Sequence, residues 1–168
     1  MVRSYLLSFL ATRAAVLNQN FSKKYPGVWL VWEPGAWHAP EMGGGPARKT
    51  IAGFKPATTP SGADALCFQL AMAEGEMTVK IGRDEKSDVV INDATVSREH
   101  LVLTRTAADQ WSCLPAKDRA VKKDGQPMQG GKPSPLAPGN KVELGSVTLT
   151  FYDSNSFDSR VWGRGEKK

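Results

Sequence analysis

Between Ala65 and Tyr152 no apolar run survives more than a few residues before a turn signal interrupts it. That punctuation constrains the fold more than any other feature of the chain. Leu66–Met72 is apolar and strand-like, and a Glu74-Gly75-Glu76 turn follows. Met77–Ile81 alternates Met, Val and Ile with Thr and Lys, the period of a half-buried strand. Val89–Ile91, Leu101–Thr106, Trp111–Leu114, Val142–Leu144 and Val147–Tyr152 are further short strands. Asp124-Gly125, Pro138-Gly139-Asn140 and Gly145-Ser146 supply turns between them. Many short strands at close spacing, with no helix among them and no internal repeat, predict an all-β sandwich.

The N-terminal part reads differently. Val2, Leu6, Phe9, Leu10, Val16, Leu17 and Phe21 recur near helical spacing and predict a helix over 2–21, closed by Pro26-Gly27. Arg13 interrupts the apolar stripe and no small-x-small site follows, which argues against a secretory leader. The expected role is an amphipathic helix packed on the rest of the protein. Next comes a Pro- and Gly-rich extension holding Trp29, Trp32 and Trp37. These rings either form an aromatic platform or pin the extension to the neighbouring domain, and pinning is the expectation, because such a segment has few other means of burial. Residues 55–63 read as a linker. The chain thus divides into a helix and irregular extension (1–62), a β-sandwich (63–155) and a polar tail (156–168).

Charge is uneven. Residues 1–62 carry seven Lys and Arg against two Glu, which accounts for the whole net charge of +5, and the rest of the chain balances. A chain that used its whole surface on nucleic acid would be basic throughout, so no specific nucleic-acid partner is expected. Cys67 and Cys113 are too few for a disulfide framework and suit a reducing, cytoplasmic compartment. No apolar stretch reaches the length of a transmembrane helix.

The chemistry concentrates in Ile81–His100, IGRDEKSDVVINDATVSREH. Gly82-Arg83 ends one strand, Asp88 precedes the next, Asn92-Asp93 turns the chain, and Ser97-Arg98-Glu99-His100 leads into a third. Loops at one end of a sandwich cluster in space, so Arg83, Ser97 and Arg98 converge despite their separation. Two guanidiniums and a hydroxyl suit a phosphate group. Each alone has a plainer role: a solvated arginine, a turn serine, an arginine paired with Glu99 or Asp84.

In that order the motifs resemble the forkhead-associated (FHA) domain, through Gly82-Arg83, Asp88-Val89-Val90-Ile91, Asp93 and Val96-Ser97-Arg98-Glu99-His100. The resemblance continues through Trp111, Asp124-Gly125 and Gly139-Asn140-Lys141-Val142-Glu143-Leu144-Gly145, and covers about residues 65–153. It implies a sandwich of about eleven strands that binds phosphothreonine peptides through its apical loops. It also implies an adaptor that recruits proteins phosphorylated in a Ser/Thr-kinase pathway. Carried over, Arg83 and Ser97 contact the phosphate, Arg98 adds a second positive contact, and Gly82 and His100 support the loops. Where the family has an Asn that grips the peptide main chain, this chain has Arg119, which either replaces that donor or marks lost peptide binding.

Catalytic readings fail on inventory. There are two histidines, no nucleophile elbow and no phosphate-cradling Gly-rich loop, so no enzyme activity, cofactor or metal site is expected. The alternative function is a phosphate-independent assembly protein that uses the sandwich, the helix and the Trp segment as interfaces. A further idea is phosphorylation of Thr58 or Thr59, with binding to the domain in cis.

Overall fold

The computed structural model describes residues 2–34, 64–70, 77–106, 110–116, 119–128 and 131–165, the last three by backbone alone. The elements, in order, are β1 (Arg3–Leu6), α1 (Leu7–Leu17), a 3-10 turn (Asn18–Asn20), α2 (Phe21–Lys24), β2 (Trp29–Trp32) and β3 (Leu66–Gln69). Next come β4 (Met77–Gly82), β5 (Val89–Val90), β6 (Leu101–Arg105), β7 (Trp111–Pro115), β8 (Val121–Lys123) and β9 (Gln126–Pro127). The chain continues with β10 (Ser134–Leu136), β11 (Lys141–Leu144), β12 (Val147–Tyr152) and α3 (Ser154–Gly165). Seven strands form one sheet, β1-β3-β2-β12-β11-β8-β9, and five form the other, β10-β7-β6-β4-β5. This is the predicted β-sandwich, with twelve strands among the described residues.

Alternating side chains fill the space between the sheets. Leu30, Trp32, Leu66, Phe68, Val79, Ile81, Leu101, Leu103, Leu144 and Leu149 are all buried there. The opposite face of the seven-stranded sheet carries a second core. Trp29, Val31 and Cys67 meet Leu7, Leu10 and Ala14 of α1, Phe21 of α2, and Phe157 and Val161 of α3. Every residue of β2 is therefore buried, which explains a continuous apolar run in place of alternation. Trp29 stacks on Phe157, ring centroids 4.2 Å apart and planes 7° from parallel. Trp32 lies in the inter-sheet core, so these two tryptophans are packing groups. Trp37, the linker and Thr58 and Thr59 lie outside the described residues.

Two local expectations are corrected. The segment predicted as one helix over 2–21 opens as a strand, because Arg3–Leu6 pairs antiparallel with Leu66–Gln69. Val2 and Leu6 turn toward the inter-sheet core and Tyr5 toward the helix layer, a period of two hidden in a helix-like stripe. The segment after Asp153, read as a polar tail with no second helix, forms α3. The Asp153 carboxylate accepts the Ser156 amide at 2.9 Å while Ser156 Oγ accepts the Asp153 amide at 3.0 Å, a reciprocal N-cap.

An ion pair locks α3 to the sheet. Arg160 donates from both terminal nitrogens to Glu33, at 2.9 and 2.7 Å, and from Nη1 to the Tyr152 hydroxyl at 2.6 Å. Thr150 Oγ1 donates to the same carboxylate at 2.6 Å. Burial pushes the Glu33 carboxyl up, but the Arg160 and Thr150 hydrogen bonds and the Arg160 and Lys141 charges hold it below its ordinary range. Among the described residues, no helix is long and apolar enough to cross a membrane.

Candidate functional site

Strand register decides which loops share an end of the sandwich. Ile81 opposes Leu101, Leu101 opposes Pro115, and Val121 opposes Leu144. The loops after β4, before β6, between β7 and β8, and between β11 and β12 therefore emerge together. The sequence motifs occupy the first three.

Backbone bonds weld the first two loops. The Arg83 amide donates to the Ser97 carbonyl at 2.9 Å, and the Asp84 amide to the Arg98 carbonyl at 3.2 Å. Arg83 Nε donates to the Val96 carbonyl at 2.9 Å, which fixes the guanidinium beside the Ser97 loop. Gly82 makes this approach possible, since a Cβ built on it would lie 2.0 Å from the Arg98 carbonyl oxygen.

Asp93 organises the rest of that loop. It is fully buried and accepts the Thr95 amide at 2.8 Å and the Thr95 hydroxyl at 2.6 Å. Thr95 Oγ1 in turn accepts the Ser146 amide at 2.9 Å, which ties in the β11–β12 turn. Asp93 belongs to the motif, but its pattern of residue types showed only a turn. The Thr95–Ser146 contact spans 51 residues and leaves no sequence signal.

His100 joins the third loop. It is buried, its Nδ1 accepts the Ser97 amide at 3.0 Å, and its Nε2 lies 3.0 Å from the Ala120 carbonyl. A carbonyl only accepts, so the proton sits on Nε2 and the ring is neutral. Burial pushes the ring below the usual imidazole range; the Ala120 bond opposes this and the Arg119 charge adds to it. Arg119 is thus close enough for its charge to reach the ring that holds Ser97.

The structure brings Gly82, Arg83, Ser97, Arg98, His100 and Arg119 to one end of the sandwich. Arg83 and Ser97 are half-buried, and Arg98 and Arg119 are exposed. Such a cluster supplies charge-assisted donors to a multivalent anion, and both nitrogens of its imidazole are taken up by backbone groups. Among the described residues no group of three His, Cys, Asp or Glu could hold a metal ion. Both cysteines are free and buried, and burial pushes their thiols up, Cys113 to about 11. Burial and the raised thiol pKa make both of them packing groups.

A family model described as the inner membrane component of T3SS, cytoplasmic domain, matches residues 68–155. Among solved structures, the FHA domain of the CT664 protein from Chlamydia trachomatis is 17% identical, with 76% of this chain and 97% of that chain covered and a TM-score of 0.51. The FHA domain of an Arabidopsis thaliana hypothetical protein is also 17% identical, covers 76% and 86% of the two chains, and has a TM-score of 0.49. The N-terminal FHA domain of Rad53p from S. cerevisiae, solved with a phosphothreonine peptide, is 14% identical over 50% of this chain and 73% of that chain, with a TM-score of 0.44. No curated protein matches the chain.

Proposed function

The chain belongs to the family of FHA-type domains described as the inner membrane component of T3SS, cytoplasmic domain, and we propose that it is a non-enzymatic module whose apical loops bind phosphothreonine peptides. One observation carries the reading. The His100 ring ties the Ser97 loop to the Arg119 loop, and Arg83 is bonded to the same Ser97 segment, so the loops that carry a hydroxyl and three guanidiniums are held at one end of the sandwich. A phosphothreonine brings about −1.5 to −2 charges and three acceptor oxygens, which match those donors.

In this reading Ser97 Oγ donates to a phosphate oxygen, and Arg83 donates from the nitrogens that the Val96 bond does not use. Arg98 adds charge from the rim. His100 and Gly82 hold the loops and touch no ligand. Affinity is modest and falls with salt, because the contacts are charge-assisted and wet. The partners are proteins phosphorylated by a Ser/Thr kinase, met in the cytoplasm.

A second reading, a phosphate-independent assembly domain, draws on the family's description as a secretion-system component and on Arg119 at the place of the family's Asn. Calorimetric titration separates the two. A phosphothreonine peptide pool, with unphosphorylated and phosphoserine pools as controls, is titrated into the wild-type, Arg83→Ala and Ser97→Ala proteins. The first reading expects saturable binding that needs the phosphate and is lost in both variants. Folded protein that binds no pool supports the assembly reading.

A further inference from the structure

The helix layer carries a groove that the phosphothreonine reading does not use. It lies where the end of α1 and the turn after it face α3, and its volume is about 640 Å³. Val16, Leu17 and the Asn18–Asn20 turn form one side, and Asp158 and Trp162 of α3 the other. Asp158 and Trp162 are four residues apart, so helical geometry sets them one above the other on the same face.

The polarity of the groove is one-sided. Asp158 is the only ionisable group among the described residues that line it. Its carboxyl is half-buried, and burial pushes it up against a hydrogen bond from Ser22. Among the described residues, the charge of no lysine or arginine bears on it. Arg160 is committed to Glu33 and Tyr152, and Arg13, Lys23 and Lys24 do not line the groove. Arg164 stands on α3 as well, about 120° around the helix from Asp158.

A second negative feature points the same way. α1 ends at Leu17, and its last turn holds no basic residue. The carbonyl end of a helix carries about half a negative charge. Asn18 closes that end at a φ of 52°, a left-handed conformation that a non-glycine residue holds at a cost. Asn18, Gln19 and Asn20 are exposed at the rim and add amide oxygens as acceptors. Apolar surface completes the groove. Val16 is 66% exposed, and the half-buried Trp162 packs on the second core beside Leu17.

A carboxylate, amide oxygens, an indole and an aliphatic wall together suit a guanidinium on an apolar stem. A guanidinium pairs with a carboxylate through two donors, stacks on an indole and is more weakly hydrated than an ammonium. Its methylene stem packs on apolar surface. We propose that the groove between α1 and α3 is a docking site for a protein segment that presents an arginine, its guanidinium against Asp158 and Trp162 and its stem along Val16 and Leu17. The site belongs to the helix layer and does not depend on the phosphothreonine reading.

NMR titration of the full chain tests it, through the Trp162 indole N–H assigned with a Trp162→Phe protein. The probes are capped Ala-Arg-Ala, Ala-Lys-Ala and Ala-citrulline-Ala peptides, citrulline keeping the shape of arginine without its charge. The proteins are wild type and Asp158→Asn, each shown to be folded by its thermal unfolding curve. The arginine peptide is expected to give saturable shifts of the Trp162 indole and of amides 16–20 and 158–162. The lysine peptide binds more weakly and the citrulline peptide gives no saturable shift. Asp158→Asn weakens binding of the arginine peptide about tenfold, the loss of one charge-assisted contact. No saturable shift with the arginine peptide, an equal response to lysine or citrulline, or unchanged affinity in Asp158→Asn overturns the proposal. The citrulline comparison needs only the wild type, so the test holds whatever Asp158→Asn does to the fold.

Discussion

His100 accepts the amide of Ser97 through an unprotonated Nδ1 at 3.0 Å, so the serine loop is held by a ring that has to stay neutral. Protonation puts a donor against a donor and breaks the tie. Burial, countered by the Ala120 bond and reinforced by the Arg119 charge, sets the folded pKa below its unfolded value. A depressed pKa gives stability that is fully present above the unfolded value, near 6.5. That contribution is lost as pH falls through the lower folded value. The melting temperature of the wild type is therefore expected to drop on acidification from neutral toward pH 5. A His100→Asn protein starts less stable and shows a flatter profile over the same window.

Gly82→Ala is expected to cost about 3 kcal/mol or more. The new methyl meets the Arg98 carbonyl, which is backbone and bonded to the Asp84 amide, so neither side yields cheaply. Urea unfolding measures the loss. Because the clash sits between the two motif loops, ligand affinity should fall with stability. A neutral result would place Gly82 outside the close approach described above.

The motif loops were legible in the sequence because Gly82-Arg83 and Ser97-x-x-His100 are local patterns whose residue types carry their own chemistry. The strands were legible for the same reason, through alternation and turn residues. What stayed hidden depends on distant partners. The start of α1 is set by Asp64, whose carboxylate accepts the Ser8 amide at 2.9 Å across 56 residues. The strand Arg3–Leu6 exists because β3 is there to pair with it. α3 carries few apolar residues, and its two buried ones, Phe157 and Val161, count only because Trp29 and α1 wait for them. Its Asp153–Ser156 cap was the one local sign of that helix.

The Glu33–Arg160 pair should matter more than an ordinary surface ion pair. Both side chains are mostly shielded, 16% and 27% exposed, and the geometry is bidentate. Arg160→Ala is expected to destabilise by about 2 kcal/mol, since Glu33 keeps its burial and loses its cation. The Glu33 carboxyl sits below its ordinary range, so its contribution is complete above pH 4.5 and is lost as pH falls through the lower folded value. A double-mutant cycle with Glu33→Gln, followed by thermal unfolding at neutral pH and at pH 3.5, measures both effects. The coupling is expected at the first pH and reduced at the second.

Removal of the Phe157 ring opens the second core. Phe157→Ala leaves Trp29 without its stacking partner and creates a cavity at a site only 1% exposed. The expected cost is about 3 to 4 kcal/mol. Tryptophan fluorescence follows the loss, and the emission of Trp29 should shift toward that of a hydrated indole. Loss of less than about 1 kcal/mol would mean that α3 contributes little to the fold.

The central claim is that the apical loops, and no other surface, receive the phosphothreonine. Amide chemical shifts of isotope-labelled protein, recorded during titration with a phosphothreonine peptide, test it directly. The account predicts saturable shifts confined to residues 82–84, 96–100 and 119–121, absent with the unphosphorylated peptide and lost in Ser97→Ala. Shifts that are missing from these loops, or that gather on α1 and α3 instead, would contradict it.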